Sequence, residues 1–186
     1  MHRAQFEQWV PFPIKEVFLF FANPGNLRRI MPPSAGTEIL NVRLVPPAGY
    51  AMPLATVTDR PPLAGVGSEI VASFRILPLL PIRGQWVAQI TEFEWNHHFA
   101  DIQKKGPFKS FRHRHQFAPV TREGVNGTVV RDLIEYEVGW GILGDFAQSL
   151  IVGPQFERIF KYRQSTLEKL LAAPRATPTD QLGAPS

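Results

Sequence analysis

Between Ser68 and Val138 the chain runs through five strand-like stretches separated only by short turn signals, and this succession limits the fold more than any other feature. The stretches are Ser68–Ile76, Arg83–Glu94, Phe99–Gln103, Lys109–Ala118 and Thr128–Val138. Between them stand Leu77-Pro78-Leu79-Leu80-Pro81, Trp95-Asn96-His97, Lys104-Lys105-Gly106-Pro107 and Glu123-Gly124-Val125-Asn126-Gly127. Strands joined by such short turns form an antiparallel meander. In the last turn the Asn-Gly pair favours positive φ at both central residues, which places the hairpin bend there.

Ahead of the meander, Gln5 to Val10 reads as a strand stopped by Pro11 and Pro13. Pro13 suits a helix start, where its missing N–H costs nothing. Lys15 to Ala22 follows with Val17, Phe18, Phe20 and Phe21 on a broad apolar face. Asn23-Pro24-Gly25-Asn26 breaks this helix, Leu27 to Met31 forms a second short one, and Glu38 to Val45 reads as another strand. After the meander, Leu143 to Leu171 shows helical spacing at Phe146, Leu150, Phe156, Ile159, Phe160, Leu167, Leu170 and Leu171. Gly153-Pro154 interrupts that pattern and predicts a kink. The expected architecture is α+β: about seven antiparallel strands in a curved sheet, whose apolar face only the long C-terminal helix can cover. Residues 1–171 make one domain, and the pattern-poor stretch from Ala172 to Ser186 reads as a disordered tail.

Pro46 to Gly67 fits no regular element. A loop this long is usually a lid, a binding loop or a disordered segment. Its apolar residues Tyr50, Met52, Leu54, Val57 and Leu63 argue for a flap lying over something, with disorder as the competing reading.

The chain has no cysteine, which excludes disulfides and thiolate chemistry. Its 14 phenylalanines outnumber four tryptophans and three tyrosines. Phe needs no hydrogen-bond partner, so this bias suits a bulky core or the wall of an apolar cavity. The opening residues lack the apolar run of a signal peptide, and no stretch is long and apolar enough to span a membrane, so a cytoplasmic protein is expected. Much of the net charge of +4 sits in Lys104, Lys105, Lys109, Arg112 and Arg114. Without interleaved exposed aromatics or a reader helix, this patch does not suggest nucleic acid. A solvated hairpin end is expected, and a transient contact with anionic lipid stays open.

Four strings resemble the START / pollen-allergen / polyketide-cyclase superfamily (SRPBCC), and in particular its cyclase/dehydrase-like bacterial ligand-binding branch. They are Phe20–Pro33 (FFANPGNLRRIMPP), Phe99–Phe117 (FADIQKKGPFKSFRHRHQF), Thr128–Gly144 (TVVRDLIEYEVGWGILG) and Ile159–Arg163 (IFKYR). The resemblance implies a helix-grip fold with a cavity between sheet and long helix. It says less about chemistry, because the superfamily holds carriers, receptors and cyclases alike. Two departures stand out: Phe111 occupies a position where the branch pattern has Trp, and the Pro46–Gly67 connection is longer than usual.

Strand parity locates a candidate site. Phe111, His113, His115 and Phe117 share one face of their strand, opposite Arg112, Arg114 and Gln116, so the histidines should point inward. By the same alternation Asp132 and Tyr136 point inward from the last strand, while Phe99, Asp101 and Gln103 share a face of theirs. The candidate ligand-binding set is therefore His113, His115, Asp132, Gln103, Asp101, Phe99, Phe111, Phe117 and Tyr136, joined by Phe156 and Phe160 of the long helix.

Buried polar groups require partners. A self-satisfied network, a grip on a ligand's polar end, or acid–base catalysis by His113, His115 and Asp132 would each meet that requirement. A metal held by the two histidines and Asp132 is the less favoured reading, and no cofactor is expected. His97 and His98, at a turn, are expected to be solvated. The leading reading is a carrier of a small, mainly apolar molecule. A cyclase or dehydratase acting on a polyketide-like or aromatic substrate is second, and a membrane- or partner-contacting adaptor third.

Overall fold

A computed structural model of the chain describes residues 1–50, 61–75, 83–138 and 152–173. The strands are β1 (His2–Val10), β2 (Glu38–Arg43), β3 (Glu69–Arg75), β4 (Arg83–Glu94), β5 (His98–Lys105), β6 (Ser110–Arg122) and β7 (Val125–Glu137). The helices are α1 (Ile14–Ala22), α2 (Leu27–Ile30) and α3 (Gly153–Ala172). All seven strands form one antiparallel sheet in the order β1-β7-β6-β5-β4-β3-β2. The meander thus runs in sequence from β2 to β7, and β1 closes it by pairing with β7 from His2↔Tyr136 to Val10↔Thr128. The expected α+β helix-grip architecture is the one present, with a curved sheet, two short helices after β1 and a long C-terminal helix.

Local chemistry explains the first helix. Pro13 is its N-cap, and the Pro13 carbonyl accepts from the N–H groups of Glu16 and Val17. Asn23 ends the helix, and its Oδ1 accepts from Gly25 N–H at 2.9 Å. Val17, Phe18 and Ala22 are buried against the sheet side of the core.

Two details differ from the sequence reading. The β6–β7 bend lies at Glu123-Gly124, both at positive φ (49° and 78°), and Asn126-Gly127 is already paired within β7. Gly127 serves a close approach instead of a turn: a Cβ there would stand 2.4 Å from Val10 O and 2.6 Å from the Trp9 ring. Trp9 lies across this point with its Nε1 donating to Val120 O at 3.0 Å and the Arg122 guanidinium over its ring. At the other end, the described part of α3 begins at Gly153 with Pro154 in its first turn, a place a proline tolerates. The expected helical stretch before it, and hence the kink, falls on residues 139–151, outside the described residues; the expected tail lies outside them from residue 174.

The ends of the Pro/Gly-rich connection are fastened. Ala64 N–H donates to Ala22 O, Gly65 N–H to Val45 O and Gly67 N–H to Ile90 O, while Leu63 is wholly buried. Tyr50 Oη donates to Pro61 O at 2.7 Å, and Trp95 Nε1 to Ala48 O at 3.1 Å. The middle of the expected flap, residues 51–60, lies outside the described residues.

Candidate functional site

Among the described residues the interior holds two apolar clusters, and a polar layer stands between them. On β6 the sequence of inward residues is Phe111, His113, His115, Phe117; on β7 it is Tyr136, Ile134, Asp132, Val130. Phe111, Ile134, Tyr136 and Phe160 belong to one apolar cluster, and Phe117, Val130 and Leu167 to the other. Helix α3 repeats the pattern at helical spacing, with Arg163 between Phe160 and Leu167. The two strands and the helix therefore place their polar residues at one level.

Asp132 is the hub of that layer. Its Oδ1 accepts from Arg163 Nη1 at 2.8 Å, lies 2.9 Å from His113 Nε2 and 2.7 Å from His115 Nδ1. The His115 contact is close but off-axis, so it acts as a charge–dipole contact more than as a directed hydrogen bond. Burial alone would raise the Asp132 carboxyl, but Arg163, His115 and the hydrogen bond with His113 outweigh it and hold the carboxyl well below the usual range. Arg163 is itself buried, with its guanidinium over the Phe160 ring at 4.5 Å and the Phe21 ring at 5.6 Å.

His115 is pushed down to about 3, first by burial and then by the neighbouring His113, so its imidazole is neutral at ordinary pH. Asp101 pairs directly across from His113 and is pushed up to about 6, mainly by burial. No hydrogen bond to the Asp101 carboxylate is made among the described residues. The buried Arg163 Nε and Thr37 Oγ1 likewise have no hydrogen-bond partner there.

Beside this layer, between the sheet and α3, lies a cavity of about 390 Å³. Asp101, His113, His115, Arg163 and Thr37 line it together with Phe99, Phe111, Phe156, Phe160, Trp86 and Phe108. Small residues Ala72 and Ala88 of the sheet leave room at its floor. Of the remaining expected site residues, Asp132 sits behind the histidines and beside a separate void of about 10 Å³, room for a single water. Phe117 packs among Phe18, Phe21 and Phe99, and Tyr136 against Phe108 and Phe156. Gln103 is turned into the β5–β6 bend, where its Nε2 donates to Phe108 O at 2.8 Å and its Oε1 accepts from Phe108 N–H at 3.3 Å.

Arg163, Trp86, Phe108 and Thr37 were not expected at the site. Arg163 carried a signal: a basic residue four positions before Leu167 and three after Phe160 falls on the apolar face of the helix. Trp86 stands edge-on to Phe111, with ring centroids 4.6 Å apart, so β4 supplies an indole beside that ring.

The outer face of β5 and β6 is less basic than its sequence. Arg112 is hydrogen-bonded to Glu92 and reaches Glu135, and Arg114 reaches Glu92. Lys104 is paired with Glu69, and Lys109 with Glu137. His97 is exposed as expected, but the His98 side chain is only 13% exposed, set between Glu92 and Glu94 at 3.4 and 3.3 Å. Burial, then Arg114, pushes the His98 imidazole down. No described helix is long and apolar enough to cross a membrane.

No protein-family model matches the chain, and no curated protein is similar to it. Solved structures are. A START superfamily protein from Mycobacterium smegmatis superposes with a TM-score of 0.61 at 14% identity, over 91% of this chain and 99% of that one. The ginseng (Panax ginseng) major latex-like protein 151 gives 0.59 at 12% identity, over 92% and 98%. A norcoclaurine synthase from Thalictrum, solved as a point mutant with a transition-state analogue, gives 0.57 at 14% identity, over 91% and 93%. At these identities the likeness is one of architecture, and along nearly its whole length the chain has the helix-grip fold that the START / pollen-allergen resemblance implied.

Proposed function

We propose that the protein binds and carries a small, mainly apolar molecule in the cavity between sheet and α3. The single observation behind this reading is the composition of the cavity wall. Phenylalanines and Trp86 cover most of it, and Asp101, His113, His115 and Arg163 gather on one side. Its volume of about 390 Å³ falls within the roughly 300–1,000 Å³ of small-molecule sites. Phe rings bury a ligand's skeleton without asking for hydrogen bonds, while a polar group reaching Asp101 or Arg163 Nε would satisfy atoms that otherwise lack partners. The superposed norcoclaurine synthase and latex-like protein support the reading only as companions in fold.

The test uses 8-anilinonaphthalene-1-sulfonate, an aromatic skeleton with one anionic end. Saturable binding at one site is expected, and Ala88→Phe, which fills the cavity floor, should weaken it at least tenfold without lowering the melting temperature. Equal binding to both proteins overturns the reading. Native mass spectrometry of protein from its own host then identifies a retained molecule.

One observation favours a second reading, an enzyme of the cyclase or dehydratase type. Asp101 faces the cavity with a carboxyl pushed up to about 6, near the pH at which a general acid or base works best. In this reading Asp101→Asn abolishes turnover while binding survives.

A further inference from the structure

Three donors stand together on the cavity wall, and the residue behind them is arranged as metal sites arrange theirs. Asp101 of β5 lies directly across from His113 of β6, and His115 follows two residues along on the same face. One donor atom of each lies within 4.8 Å of the others. Around a zinc-sized ion, with ligands at about 2.0–2.1 Å, donors stand about 3.3 Å apart, so side-chain adjustments of about an ångström would close the set.

Asp132 contacts one nitrogen of each ring, Nε2 of His113 and Nδ1 of His115. Among the described residues His113 Nδ1 makes no hydrogen bond, and neither does His115 Nδ1 despite its approach to Asp132. A carboxylate behind a ligating imidazole fixes its orientation and raises its basicity, and metal-binding histidines almost always have one. Arg163 balances the Asp132 charge, which leaves Asp101 as the carboxylate not matched by a directly bonded cation.

We propose that Asp101, His113 and His115 form a site for a divalent transition-metal ion of the zinc class on the cavity wall, with Asp132 orienting the His113 imidazole from behind. Three protein ligands leave a coordination position open, and in this site it faces the cavity, where an oxygen or nitrogen of a bound molecule could occupy it. The sequence points to Asp132 as the carboxylate of any such set; the register of β5 against β6 puts Asp101 there instead. This inference goes beyond ligand carriage and does not depend on it.

A competing cluster must be separated. Glu94, His97 and His98 at the β4–β5 turn also bring donors within 4.8 Å, on the surface. The experiment titrates Co²⁺ into the untagged full chain and follows the visible ligand-field absorption, whose intensity reports a four- or five-coordinate ion. One equivalent is expected to bind. Asp101→Asn should weaken binding at least tenfold while retaining the wild-type far-UV circular dichroism, and the His97→Ala/His98→Ala double variant should bind as the wild type does. His115→Gln gives an independent check, with the same loss expected. Absence of the absorption, unchanged affinity in Asp101→Asn, or loss confined to the His97/His98 variant overturns the proposal; the last outcome assigns the ion to the turn.

Discussion

Arg163 Nη1 of α3 donates to Asp132 Oδ1 of β7 across 2.8 Å, and both side chains are less than a tenth exposed. This bond ties the long helix to the centre of the sheet at the level where the two apolar clusters meet. Breaking a buried pair by removing one partner typically costs about 3–5 kcal/mol, because it leaves the other charge uncompensated. Asp132→Asn should therefore destabilise the protein by about that amount in urea unfolding. The double variant Asp132→Leu/Arg163→Met should lose less than the sum of the single variants Asp132→Leu and Arg163→Met, and the cycle these proteins form measures the coupling.

Asp101 should behave in the opposite way. Its folded-state carboxyl lies near 6 against an ordinary value of 3.8, so the folded chain holds a proton that the unfolded chain has released between those values. Stability is therefore lost as pH rises from about 4 to about 6, and the deficit is complete above that. In metal-free protein, Asp101→Asn should raise stability at pH 8 by about 2–3 kcal/mol, following about 1.4 kcal/mol per unit. The gain should vanish at pH 4. A gain that is the same at both pH values would mean that burial of the carboxylate is not its cause.

His115 has its pKa lowered to about 3, so the unfolded chain takes up a proton below 6.5 that the folded chain refuses. Its contribution to stability is present above pH 6.5 and is lost as the pH falls toward 3. The proton NMR signal of its ring Cε1–H should stay unmoved between pH 8 and pH 5. A midpoint inside that range would contradict the neutral, buried imidazole.

Gly127→Ala and Gly124→Ala separate two uses of glycine within one hairpin. A methyl at Gly127 meets Val10 O and the Trp9 ring, neither of which can yield cheaply, so a loss of about 1–3 kcal/mol is expected. Gly124 has open space around it but a φ of 78°, and the expected loss is about 1–2 kcal/mol from backbone strain alone. Trp9 fluorescence should shift in the first variant and not in the second.

The same hairpin shows where the sequence could be read and where it could not. Asn-Gly is the stronger dipeptide for a tight bend, yet Glu123-Gly124 takes it, because Gly127 is held under Trp9 by a strand far away in sequence. Alternation along β6 and β7 brought His113, His115 and Asp132 inward, since side-chain parity depends only on local pleating. Gln103 obeys the same parity but sits next to the bend, where the backbone of Phe108 engages its amide. Arg163 differs again: its place on the apolar helix face is a local signal of burial, but its partner Asp132 lies on a strand that only the fold brings opposite it. Cavity-lining Thr37 lies just before β2, outside any periodic pattern, and only the fold carries it to the site.

In the proposed carrier role, the separation of the apolar interior into two clusters by one polar layer has a consequence for what the protein would discriminate. Rings of phenylalanine respond to bulk and flatness, and they tolerate an added or missing methylene at a cost of about 1 kcal/mol. The polar layer is a fixed landmark, held at the junction of two strands and a helix. A guest would be sorted by the chemistry of its tip and by little else, so a homologous series sharing one terminal group should bind with graded affinities, whereas moving that group along the skeleton should abolish binding.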